Sequence, residues 1–220
     1  MTTPPPSYAE IKACWVADLD LVARRDRWGL ALGTVGVVHL GFFLTCQVMH
    51  NSGDRTAWHY VGLWGGELAS TLTVFSAIAG RSWVQSSPLA GLIARIWGTV
   101  LILSLSLASM NQLSGLDYEW FKPVLCTLAS FGFMMMAYLV SPWFFTGAVW
   151  MSLTGVVMVN ALNFSYLIHG TSWCLILTVL GTVLEVRRRS LNRRPEQLRI
   201  VIPIRNSGHR PSWMNAHHPG

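Results

Sequence analysis

The sequence predicts an all-α fold: a polytopic membrane bundle of six transmembrane helices, preceded by an amphipathic interfacial helix and followed by a flexible basic tail. Three observations predict it. Of its 220 residues, 52% are hydrophobic and only 12% charged, against roughly 25% charged in an ordinary soluble domain. Six apolar stretches each reach or approach the ~20 residues that cross ~30 Å of hydrocarbon. The 16 Lys and Arg also gather almost wholly on one side once those stretches alternate in direction.

Residues 1–27 read as a cytoplasmic N-terminal segment. Ser7-x-x-Glu10 is a capping box, in which hydroxyl and carboxylate satisfy free amides of a first helical turn. Tyr8, Ile11, Trp15, Leu19 and Val22 follow at helical spacing with charges opposite, the pattern of a helix lying on a membrane. The first apolar run starts late and is too long for a signal-peptide core, so an uncleaved first span is expected.

The six-helix domain, 28–186, contains apolar segments at 28–49, 59–80, 89–110, 122–140, 142–164 and 170–186. The eleven Trp suit interfacial belts, where an amphipathic ring sits at headgroup level. With both termini and the 81–88 loop inside, Lys12, Arg24, Arg25, Arg27, Arg81, Arg95 and the tail arginines lie on the cytoplasmic side. Only Arg55 and Lys122 lie outside, as the positive-inside rule requires of an even number of spans. Residues 187–220 form the tail. Its Arg187, Arg188, Arg189, Arg193 and Arg194 would meet anionic lipid headgroups, at about 1 kcal/mol per charge near the surface. Four prolines and few apolar anchors predict disorder beyond them.

Two ionisable groups sit deep in the first two segments. His39 lies ~15 Å and Glu67 ~12 Å from the same predicted surface, at ~1.5 Å per residue. A charge at mid-bilayer costs about 2.5–3.5 kcal/mol on insertion scales, so such residues turn inward and find partners. A His39–Glu67 contact is therefore expected. Gly29, Gly33 and Gly36 line one face of the first span, and Gly62, Gly66 and Ser70 one face of the second. Such stripes let backbones approach closely where lipid gives no hydrophobic push, so these spans should pack on each other or on a neighbour.

Near the outer rim stand Cys46, His50, His59, Cys126, His169 and Cys174, donors that would suit a soft metal such as copper; filler packing explains them as well. His39 alone, with no second His read at its depth, gives little basis for b-type haem. No cofactor is required by the pattern. The four cysteines lack CxxC spacing, which disfavours a disulfide framework or zinc ribbon. The motifs HExxH and GxSxG and the glycine-rich phosphate loops are missing, and basic residues are not interleaved with aromatics as nucleic-acid binding would need. The expected function is a small non-enzymatic accessory, sensor or scaffold subunit of a bacterial inner membrane, meeting lipid and either a membrane-protein partner or its own copies. A proton-coupled transporter is the alternative, and a haem- or metal-binding redox subunit the third.

Overall fold

The computed structural model describes residues 7, 10, 11, 13–15, 17, 18, 26–54, 56–114 and 121–192. Among them 89% of the structure is helical and no strand occurs. Six α-helices follow in order: α1 Trp28–Asn51, α2 Ala57–Ala79, α3 Pro88–Ser114, α4 Phe121–Leu139, α5 Phe144–Asn160 and α6 Ser165–Asn192. Five of these regions are long and apolar enough to cross a membrane; α5, with 17 residues, falls short of that length. Large apolar side chains are exposed along the helices, including Val37, Ile102, Val156 and Val179, with Trp58, Tyr138 and Trp143 exposed near helix ends. Water would penalise such a surface, whereas hydrocarbon would not. The apolar helices mark a membrane-embedded protein.

Rising numbers on one helix meet falling numbers on the next along α1–α2, α3–α4, α4–α5 and α5–α6. Glycine permits the reversals at Gly53 and Gly80, both at positive φ, a backbone region costly for other residues. Ser87 Oγ accepts the N–H of Ala90 at the start of α3, and Pro88 occupies the first helical position, where its missing N–H costs nothing. Gly132 of α4 faces Val100 and Trp97 of α3. Ser130 Oγ donates to Ala148 O, 2.8 Å away, and so ties α4 to α5. Thr154 Oγ1 donates to Ser172 Oγ at 3.0 Å, joining α5 to α6.

The most extensive seam is α1 against α6. A Cβ built on Gly29 would lie 2.5 Å from Gly181 O, and one on Gly36 would lie 3.2 Å from Cys174 O. Farther along α1, Gln47 bonds Asn163 and Leu167. Rising numbers on α1 meet falling numbers on α6, so Trp28 and the C-terminal part of α6 lie at the same end of the bundle.

Two expectations change. The segment expected at 142–164 ends as a helix at Asn160, passes through a 3-10 turn at Leu162–Phe164, and α6 begins at Ser165 rather than near 170. On α1, Gly29 and Gly36 meet the neighbouring α6, where Gly181 offers Gly29 a matching bare backbone, and α2 meets α1 through Gly66 against the Phe42 ring. The N-terminal segment is docked on protein as well: Trp15 packs on the Leu89, Met136 and Val140 cluster, and Asp18 Oδ2 accepts the Leu89 N–H at 3.1 Å. Its capping box closes as drawn, with Ser7 N donating to Glu10 Oε2 at 2.7 Å. The expected disordered tail, including Arg193 and Arg194, lies outside the described residues.

Candidate functional site

Helices α1 and α2 bring the two deep ionisable groups together. His39 Nδ1 stands 2.9 Å from Glu67 Oε1, and Thr71 Oγ1 donates to the same oxygen at 3.3 Å. Their side chains are only 13% and 20% exposed. With neutral imidazole this is an N–H···carboxylate hydrogen bond; with imidazolium it is an ion pair. Phe43 stacks on the His39 ring at 4.4 Å, and Trp173 lies 5.7 Å from it. Among the described residues His39 Nε2 is buried without a hydrogen-bond partner.

His169 is where the structure departs most from the sequence reading, which put it at the outer surface. It is 5% exposed, and its ring centroid lies 5.8 Å from that of His39. The early start of α6 carries it into the bundle, so a second imidazole does sit at the level of His39. Phe43, 4.8 Å from His169, packs against both rings where a haem macrocycle would need space.

From His169 the polar contacts continue sideways. Its Nδ1 lies 3.3 Å from Cys126 Sγ, which lies 3.4 Å from Met158 Sδ. Cys46 is buried separately with Phe43, Tyr60 and Tyr166, and Cys174 backs onto Gly36. His50 packs edge-on against Tyr166 at 5.8 Å, and His59 pairs with Asp54 at 2.6 Å. Among the described residues no three His, Cys, Asp or Glu side chains are grouped to hold a metal.

Lys122, expected on the outer side at the start of the fourth segment, stands in the first turn of α4, 3% exposed, with Nζ 4.0 Å over the Tyr166 ring. Desolvated cations gain from an aromatic face; nothing in the spacing of one Lys signals that choice. Missed for the same reason were Met158 and Trp173, apolar by type and central by placement.

At the α1–α2 turn, the backbone N–H of Thr56 and the neighbouring His59 hold the Asp54 carboxyl at about 2. A carboxylate depressed in this way steadies the turn above its ordinary value near ~3.9, and that support fades as pH falls toward the folded value. The Thr56 amide resonance should therefore titrate with a midpoint close to 2, and Asp54→Asn should abolish the titration.

Glu185 pairs with Arg188 at 2.8 Å and Arg189 at 3.2 Å, so two of the arginines expected to meet lipid headgroups are partly neutralised by an acid on their own helix. Of the predicted stripe, Gly29, Gly36 and Gly66 meet a neighbouring helix, while built Cβ atoms on Gly33 and Gly62 meet nothing within 4 Å. Ser70 remains half-buried on α2. Comparison with protein-family models, with curated proteins and with solved structures finds no match to this chain.

Proposed function

We propose that this chain is a six-span protein of the bacterial inner membrane with both ends in the cytoplasm, acting as a non-enzymatic sensor or accessory subunit whose moving part is α2. One observation carries the reading: the 2.9 Å His39–Glu67 contact is a polar tie on a helix that packs chiefly on α1. The antiparallel α1–α6 seam supports a shared side for the two ends. At 17 residues, α5 is ~26 Å long, and its flanking turns would complete a sixth crossing.

His169 of α6 faces His39, Thr71 bonds Glu67, and Cys46 of α1 and Lys122 of α4 lie within electrostatic range of this region. The contact is either made or broken. In the first case α2 closes on α1; in the second it loosens.

Spin labels at exposed Ala69 and Val183 in bilayer nanodiscs test this. The distance distribution of the otherwise native protein should be narrow. Glu67→Gln should broaden it while costing only about 0.6–1.7 kcal/mol, the scale of polar contacts in membrane bundles. An equally narrow distribution in Glu67→Gln, or a broad one in the parent, would contradict the sensor reading.

A further inference from the structure

Cys126, Met158 and His169 come from three different helices, α4, α5 and α6, and Cys126 Sγ touches the donor atoms of the other two. Sγ lies 3.4 Å from the Met158 thioether and 3.3 Å from His169 Nδ1. Cys126 and Met158 are fully buried and His169 nearly so. These contacts are built into the packing. Gly155 lets α4 approach α5, since a Cβ there would stand 3.2 Å from Cys126 Cβ. Ser130 and Thr154 fasten the same three helices on either side through their bonds to Ala148 and Ser172. Ala129 and Met151 belong to the same buried cluster.

Thiolate, thioether and imidazole form a soft donor set. Around an ion with sulfur at ~2.3 Å and nitrogen at ~2.0 Å, tetrahedral to trigonal angles put sulfurs ~3.8–4.0 Å apart and sulfur from nitrogen ~3.5–3.7 Å. The observed separations are shorter by a few tenths of an ångström, a retreat that a flexible Met side chain absorbs readily.

Charge selects the ion. One thiolate and two neutral donors cancel a single positive charge. A divalent ion would leave an excess charge among hydrocarbon, at about 2.5–3.5 kcal/mol on insertion scales. We propose that Cys126, Met158 and His169 bind one Cu(I) ion inside the bundle. Binding exchanges the Cys126 S–H proton, released to solvent, for a Cu–S bond, so the net charge of the site is unchanged and no electron moves. His39 Nε2, buried and unpartnered among the described residues on a ring 5.8 Å from His169, adds a second imidazole beside the site.

The test titrates Cu(I) anaerobically into detergent-purified full-length protein against a chromogenic Cu(I) chelator. The Cys14→Ser/Cys46→Ser/Cys174→Ser variant should retain one Cu(I) per chain, undisturbed by Zn²⁺, and Cys126→Ser should lose it. Met158→Leu keeps the volume and removes the donor. It should fold normally and bind at least about 10-fold more weakly, since even outer-sphere changes at metal sites cost 10–100-fold. Equal copper in Cys126→Ser and parent would place the metal elsewhere, for example on His217 and His218. That result, full affinity in Met158→Leu, or no copper in the triple variant would overturn the proposal.

Discussion

Gly181→Leu is expected to destabilise the protein by about 3 kcal/mol, the upper end of ordinary overpacking costs. A side chain at this position would collide with the carbonyl oxygen of Gly29 and crowd the Gly33 N–H at 3.1 Å. Both are backbone atoms and cannot rotate away, so the helices must separate. That separation would spread along the seam. Gly36 would leave Cys174 and Leu177, and Phe43 would leave Gly170, where a Cβ would lie 2.6 Å from Phe43 Cβ. In a membrane such close packing is a main source of helix association, because lipid is as apolar as the side chains. Reversible unfolding in mixed micelles measures the loss. Gly33→Ala and Gly62→Ala, whose new Cβ atoms meet nothing within 4 Å, should stay within about 0.5 kcal/mol of the parent. Equal effects at Gly181 and Gly33 would mean that the seam is not where this structure puts it.

Gln47→Leu is the second large effect, at about 2–3 kcal/mol. The Gln47 side chain is buried. Its Nε2 donates to Asn163 O at 2.7 Å and to Asn51 Oδ1 at 2.8 Å, while its Oε1 accepts the Leu167 N–H at 3.1 Å. One α1 side chain thus satisfies the opening turn of α6, whose first amides have no partner within their own helix. Leucine fills the space and leaves the Leu167 N–H and Asn163 carbonyl unmet. Each buried orphan costs about 1–3 kcal/mol. Faster hydrogen exchange at the Leu167 amide, together with lower unfolding stability, is the expected signature; unchanged protection would show that water or another group replaces Gln47.

Much of the architecture is legible in composition and length, because hydrocarbon thickness imposes a ruler on apolar runs. The limits of α1, α2, α3 and α4 fall within a few residues of the apolar runs, since Gly53, Gly80 and Pro88 punctuate them. The α5–α6 turn is less legible. Asn160, Asn163 and Ser165 interrupt the apolar run only lightly, and the chain there reads as continuing span. This one boundary also hides His169, because its depth follows from where α6 starts. The matched depths of His39 and Glu67 could be read from two adjacent segments joined by a short turn. Cys126 and His169 could be grouped near one rim, but the place of Met158 beside Cys126 could not be read, since it depends on helices meeting. Small-residue spacing on α1 signals close approach without naming the partner. Gly170 and Gly181 of α6 stand eleven positions apart and form no GxxxG pattern with each other.

The proposed topology is an even-numbered, antiparallel threading closed by α1 against α6. Single cysteines at Ser7, Ser52, Ser82 and Ser190 of a cysteine-free variant, labelled with a membrane-impermeant maleimide in sealed vesicles of known orientation, test it directly. Ser7, Ser82 and Ser190 should react from the cytoplasmic face and Ser52 from the opposite face. Labelling of Ser7 and Ser190 from opposite faces would contradict the threading, and with it the shared side of the two ends.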